Sequence, residues 1–138
     1  MGCKIFGLIP RKPDLTSDQF HDYYRHPHGT LGRNVTTMRG YVQSHQIHCG
    51  RLPDNQSEFE AVAEIWLDNA QDAIDFRAEP VVVNHLMDDE PNFVDLPRLT
   101  FFAGTEEVIA SGPRQDAGLS AADAMWSPAR APCTVKIL

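Results

Sequence analysis

The segment Phe59–Leu67 (FEAVAEIWL) sets Val62, Glu64 and Trp66 against Ala61, Ala63, Ile65 and Leu67. A period of two fits a strand with two unlike faces, because successive side chains of a strand point to opposite sides. Three further runs read the same way. Cys3–Pro10 (CKIFGLIP) is a short apolar run closed by proline and followed by the polar turn Arg11-Lys12-Pro13-Asp14. Gly40–Cys49 (GYVQSHQIHC) alternates Tyr41, Gln43, His45 and Ile47 against Val42, Ser44, Gln46 and His48. Arg98–Ile109 (RLTFFAGTEEVI) is the fourth strand, with a kink expected at Gly104, since glycine inside a strand often marks a bulge.

Helices interleave with these strands. Thr16 and Gln19 form a T-x-x-Q capping box and Phe20, Tyr23 and Tyr24 recur at helical spacing, so a helix starts near Ser17 and is ended or bent by Pro27. Asp68 and Asn69 can cap a helix running to about Ala78, and Pro80 suits the first turn of a segment through Met87. The acidic turn Asp88-Asp89-Glu90-Pro91 closes it. The resulting order, β-α-β-β-α-β, is that of an α+β, ferredoxin-like subunit: one four-stranded antiparallel sheet with its helices on one face. The other face needs cover, and a second copy of the chain is the economical one, so a homodimer is expected. Residues 1–109 make up this domain. Residues 110–138, rich in Ala, Gly, Ser and Pro, are expected to form an arm that adds an edge strand or a dimer contact.

A chain of 138 residues with 42% hydrophobic content supports one core and a modest pocket, with no separate cofactor domain. The net charge of −7 is uneven: residues 1–53 carry seven basic against three acidic groups, and residues 54–95 one against twelve. This polarity could favour antiparallel contact between copies, and it leaves no basic stripe for nucleic acid or an anionic membrane. No apolar run approaches the ~20 residues of a membrane span, and no signal-peptide pattern opens the chain, so a cytoplasmic protein is expected. Cys3, Cys49 and Cys133 are odd in number and widely spaced, which reads as three reduced thiols without a disulfide frame or zinc knuckle.

Five of the six histidines fall in two groups, His21, His26 and His28, then His45 and His48. Imidazole takes and returns a proton near neutral pH, so such clustering points to acid/base chemistry. A metal centre built on His26-x-His28 and His45-x-x-His48, with Asp88, Asp89 and Glu90, meets two objections. Residues three apart on a strand face opposite sides, and Pro27 limits convergence of its neighbours. No metal is expected. There is no Gly-x-Ser-x-Gly elbow, phosphate loop or GxGxxG either. What remains is proton transfer without a cofactor by Tyr24, His28, His45 and an acidic residue near 88–90. His21, His26, His48 and His85 read as surface or packing residues, and Phe6, Phe20, Phe76, Trp66 and Phe101 as core.

Phe20-x-x-Tyr23-Tyr24-x-x-x-His28-Gly29, Tyr41-Val42-Gln43-x-His45 and Asp89-Glu90-x-Asn92-Phe93-x-Asp95 resemble the successive signatures of the EthD family. Lys4-Ile-Phe-Gly-Leu with Arg11-Lys12-Pro13, and the strand Ala63-Glu64-Ile65-Trp66-Leu67, are similar to it as well. The resemblance spans about residues 3–109. It implies a ferredoxin-like subunit that pairs its sheet with a twin as a dimeric α+β barrel. It also implies a cavity between sheet and helices that holds a small hydrophobic molecule. Catalytic roles carry onto His28, His45, Tyr24, Asp89 and Glu90, with Tyr41, Gln43 and Phe93 against the substrate. The chain has Tyr23-Tyr24 where many members have Tyr-Trp.

The implied activity is cofactor-independent acid/base catalysis of the dehydratase, decarboxylase or isomerase type on an aromatic or polyketide-like carbonyl compound. A cofactor-free monooxygenase and a non-catalytic ligand-binding accessory protein stand as alternatives. Each residue also has a purely structural reading. Tyr24 packs helix on sheet, His28 faces a helix C-terminus, and Asp89 and Glu90 stop a helix or bond Asn92.

Overall fold

The computed structural model describes residues 2–52 and 58–110. Strand β1 is Cys3–Ile9, helix α1 Ser17–Tyr23, α2 Gly29–Gly32, β2 Gly40–His45 and β3 Ala61–Leu67. Helix α3 (Ala70–Asp75), α4 (Pro80–His85) and β4 (Thr100–Gly104) follow. A π turn, Tyr24–His28, joins α1 to α2, and short 3-10 turns lie at Phe76–Ala78, Met87–Asn92 and Leu96–Arg98. The sheet order is β2-β3-β1-β4 with every neighbouring pair antiparallel, which is the ferredoxin-like arrangement expected from the element order.

Local chemistry explains the boundaries. The Thr16 side chain accepts from the Gln19 backbone N–H at 3.1 Å, and the Gln19 side chain accepts from the Thr16 N–H at 2.8 Å, closing the capping box. The Asn69 side chain caps α3 by accepting from the Asp72 N–H at 2.9 Å, and Pro80 opens α4.

The alternation of β3 is realised in full. Ala61, Ala63, Ile65 and Leu67 are buried under the helices, while Val62, Glu64 and Trp66 occupy the other face. In β1, Ile5 lies between Ile65 and Ala103, and Phe6 between Glu64 and Phe102. One core cluster gathers around Ile5, Ile65, Phe76 and Val82. The other gathers around Ile9, Phe20, Tyr24 and Phe93. The open face carries Phe6, Trp66, Val42 (46% exposed) and Phe102 (60% exposed). The Lys4 ammonium lies against the Phe6 and Trp66 rings at 5.0 and 4.4 Å and pairs with Glu64 at 3.1 Å and Glu106 at 2.7 Å.

Several expectations are corrected. Strand β2 stops at His45 rather than Cys49, because β3 begins at Ala61 opposite His45 and leaves no ladder beyond one bond from the Gln46 N–H to the Glu60 carbonyl. Likewise β4 ends at Gly104 rather than kinking there, because its partner Lys4 is next to the start of β1. It begins at Thr100, since Leu96–Arg98 is wound into a 3-10 turn containing Pro97. Phe101 is 40% exposed rather than core. Cys49 is disulfide-bonded, against three reduced thiols, while Cys3 is free and buried. The readings of Cys133 and of the arm from 111 onward lie outside the described residues. No helix among the described residues is long and apolar enough to cross a membrane.

Phe20 is fully buried where α1 meets the sheet. Truncation to alanine removes that contact and leaves a cavity, at a cost of about 3–5 kcal/mol. Phe20→Ala should therefore lower the urea midpoint sharply, whereas Val108→Ala, at a residue 74% exposed, should unfold like the parent chain.

Candidate active site

Ser17, Phe20, His21 and Tyr24 follow one another at helical spacing, so one stripe of α1 and its extension faces the sheet. The helix cannot run on regularly. His26 takes extended backbone angles (φ −154°, ψ 126°) ahead of Pro27, whose peptide bond is cis, and the chain re-enters the helix at Gly29. The wide turn keeps Tyr24 and His28 together, with ring centroids 5.7 Å apart. Phe93 stacks on Tyr24 at 5.6 Å and tilts against His28 at 4.6 Å.

These rings line a narrow cleft between the sheet and the helices. Tyr24, His28, Tyr41, Glu90 and Phe93 contribute to the wall beside apolar groups such as Ile9, Ile65, Val82 and Leu86. Gly32 permits the close approach of α2 to Tyr41, since a Cβ there would meet the Tyr41 ring at 2.8 Å.

His28 donates from Nδ1 to Asp89 Oδ2 at 2.9 Å. The other Asp89 oxygen accepts from the Tyr23 hydroxyl at 2.6 Å and from Asn92 Nδ2 at 3.0 Å. Burial alone would raise the Asp89 carboxyl, but the bonds from His28, Tyr23 and Asn92 outweigh it and hold the group below its ordinary value. A carboxylate that fixes Nδ1–H leaves Nε2 as the working nitrogen of the imidazole. Among the described residues Nε2 has no partner, and His28 lines the cleft.

The Tyr24 hydroxyl is fully buried beside the Tyr41 phenol and has no partner at full hydrogen-bond geometry. Burial, followed by the influence of the neighbouring Tyr41, pushes its phenol well above the usual range. Burial also raises Tyr41, whose hydroxyl accepts from Gln43 Nε2 at 3.0 Å. Gln43 Nε2 donates to the Tyr24 carbonyl at 2.8 Å too, which turns Gln43 Oε1 toward His45 Nε2 at 3.0 Å. Burial, then Arg25 and His21, lower His45 to about 3, so it is neutral at pH 7. With Nε2–H given to Gln43, its Nδ1 accepts from His21 Nδ1 at 2.6 Å. Glu90 holds Arg77 through two bonds of 3.0 Å, and that guanidinium lies 4.3 Å from the centre of the Phe101 ring.

Of the residues expected at the site, Tyr24, His28, Tyr41, Glu90 and Phe93 meet in the wall. Asp89 stands behind His28, and Gln43 and His45 stand behind the two tyrosines. Sequence reasoning missed Arg77 and Glu60. It also placed His21 among surface or packing groups. His21 is 7% exposed and bonds both His45 and Glu60. Its place beside Phe20 and three residues before Tyr24 was the available signal.

Known proteins place this architecture. The EthD domain family matches residues 12–97. The chain belongs to the EthD family. A crystal structure of an ethyl tert-butyl ether D (EthD) family protein from Bacillus halodurans is 19% identical, with a TM-score of 0.61 over 78% of this chain and all of that one. A hydroxynitrile lyase from Passiflora edulis shares the fold at 14% identity and a TM-score of 0.55, covering 80% of this chain and 97% of its own. A dimeric ferredoxin-like protein of unknown function from Bacteroides fragilis matches at 10% identity and a TM-score of 0.55, over 75% of this chain and 94% of that one. No curated protein matches the chain significantly.

Asp89→Asn removes the charge on which His28, Tyr23 and Asn92 converge, at a cost of about 1–3 kcal/mol. A carboxyl held below its ordinary 3.8 stabilises the fold fully above that value and loses the effect as pH falls through its folded value. The stability gap between parent and Asp89→Asn should therefore be constant near neutrality and close below about pH 4, as urea unfolding across pH will read.

Proposed function

We propose that this EthD-family chain is a cofactor-independent acid/base enzyme whose cleft takes a small hydrophobic carbonyl compound. The observation that carries the reading is His28, tied through Nδ1 to Asp89, lining a cleft beside the unpartnered Tyr24 hydroxyl. In dehydration and isomerisation His28 Nε2 removes a proton next to the carbonyl and returns it to the leaving hydroxyl or to carbon, whereas in decarboxylation the enolate forms by loss of carbon dioxide and takes up a proton delivered through His28 Nε2. Tyr24 donates its hydrogen bond to the enolate oxygen as charge builds there. A positioned general base contributes ~10²–10⁴-fold, and an oxyanion donor a comparable factor, which suffices for an activated substrate. Asp89 fixes the tautomer and orientation of His28, while Tyr41, Gln43 and His45 hold the Tyr24 segment in register. Dehydration, decarboxylation and isomerisation share the enolate, and a hydroxynitrile lyase on the same fold adds cyanohydrin cleavage to the chemistry worth assaying.

The reading includes assembly. The open sheet face presents Phe6, Trp66, Val42 and Phe102, an apolar surface that matches a copy of itself across a two-fold axis. A ferredoxin-like relative in fold is dimeric. The homodimer would close the two sheets into an α+β barrel.

Both parts are directly measurable. Aromatic keto acids, enol-lactones, hydroxylated polyketide mimics and cyanohydrins are incubated with the purified chain without cofactor and followed by mass spectrometry. The expected result is loss of water, carbon dioxide or cyanide, or a new isomer, falling at least about 100-fold in His28→Ala. Oxygen gain would instead assign the monooxygenase reading, and retention of unchanged compound a binding role. Light scattering should give about twice 15.4 kDa, with Trp66→Glu shifting the mass toward the monomer. A parent chain of monomer mass would rule out the paired sheets.

A further inference from the structure

A second cluster lies behind the cleft, around a carboxylate that the proposed chemistry does not use. Glu60 precedes β3, its side chain 9% exposed, and its backbone is fixed by bonds to the Ile9 carbonyl and from the Gln46 N–H. One of its oxygens, Oε1, faces three donors at once: His21 Nε2 at 2.9 Å, His48 Nε2 at 2.7 Å and the Ser17 hydroxyl. The other, Oε2, has the Arg11 Nε at 4.0 Å. Two imidazole nitrogens crowding a single carboxylate oxygen form a donor set that suits a borderline ion better than a hard one.

We propose that His21 Nε2, His48 Nε2 and Glu60 Oε1 form a site for one divalent transition-metal ion of the zinc type. The three atoms lie within 4.8 Å of one another. Tetrahedral ligands about 2.0–2.1 Å from zinc are about 3.3 Å apart, so binding requires the Glu60 oxygen to draw back slightly as the rings close. Water or the Ser17 hydroxyl supplies the fourth position.

The surroundings are those of a ligand already oriented. His21 donates its Nδ1–H to His45 Nδ1, and the His45 Nε2–H goes to Gln43. The nitrogen turned toward Glu60 is therefore Nε2, the one free to exchange its proton for a metal, with the second histidine in the supporting role that metal-bound imidazoles ordinarily have. His21 and Glu60 are buried, and His48, with its side chain 51% exposed, gives the ion its way in.

The objection that His45 and His48 face opposite sides of one strand does not apply. Strand β2 ends at His45, and the following chain carries His48 round to the side of His21, at a ring separation of 6.3 Å. The bound ion pins this loop to α1 and supports the His45–Gln43–Tyr41 chain from behind. Arg11 is the opposing charge, and it stands at the oxygen the ion does not use.

The test uses the full chain without a histidine tag. Equilibrium dialysis against micromolar zinc with elemental analysis should find one ion per chain, and cobalt should give the intense visible bands of a tetrahedral site. His48→Ala, at an exposed position that leaves the core untouched, should weaken zinc at least about tenfold and abolish the zinc-induced rise in melting temperature. Glu60→Gln should do the same where it folds, and His85→Ala should bind like the parent. No zinc on the parent, equal affinity in His48→Ala, or loss in His85→Ala would each overturn the site.

Discussion

A carboxylate taken out of water is tolerated only when donors surround it, because desolvation costs several kcal/mol per charge. Two such groups, Glu60 and Asp89, organise the helical side of this sheet. Glu60 collects Ser17 and His21 from α1 and His48 from the loop after β2. Asp89 collects Tyr23 and His28 from the far end of the same segment. The helix and its irregular turn are thus fastened to the sheet side at one end and to the 3-10 turn Met87–Asn92 at the other. Tyr24 lies between the two anchors, fully buried against Phe20 and Phe93. The position of the cleft wall follows from where the two charges are satisfied.

The Glu60 anchor also reaches the cleft wall. From Glu60 the hydrogen bonds run to His21, His45, Gln43 and the Tyr41 hydroxyl. Each step has a fixed polarity, because Gln43 must present its amide to the Tyr24 carbonyl and therefore its oxygen to His45. His45 acts within this chain as a neutral relay of orientation, which is why a residue with no place in the cleft wall still belongs to the site. The equivalent pairing at Asp89 is shorter and ends on an imidazole nitrogen that nothing among the described residues occupies.

The fold was legible because its signals are local. The alternation Ala61 to Leu67, the Thr16–Gln19 capping box and Pro80 at a helix start each report a backbone state through adjacent residues. Strand ends were not legible, because the alternating pattern continues to Cys49 while the ladder stops at His45, opposite the Ala61 that begins the partner strand, and neither run shows this alone. The site was half visible for the same reason. Tyr24, His28, Tyr41 and Phe93 stand in motifs, whereas the partners that orient the candidate site come from distant segments. Arg77 meets Glu90 across 13 residues, with helix α4 between them, and Glu60 meets His21 across 39. Counting histidines found the clusters, but only the tertiary structure could show that His21 rather than His26 belongs with His45.

Electrostatics narrows what the cleft can take. Glu90 and Arg77 face each other in a two-bond pair, so neither charge is offered outward without breaking that pair. The rest of the wall is largely apolar apart from the Tyr24 and Tyr41 hydroxyls and His28. A ligand carboxylate would lose its hydration and find no free cation among those groups, whereas a neutral carbonyl would lose little and gain the hydrogen bond that Tyr24 lacks. A buried hydroxyl without a partner costs about 1–3 kcal/mol, and the ligand that removes this cost binds by that much more tightly. On the acid/base reading the gain grows further in the transition state, since the carbonyl oxygen becomes an oxyanion and charge-assisted bonds are roughly twice as strong as neutral ones. On that reading the neutral members of the assay panel, the enol-lactones and cyanohydrins, would suit this wall better than the keto acids, and the Tyr24 phenol would supply the differential binding.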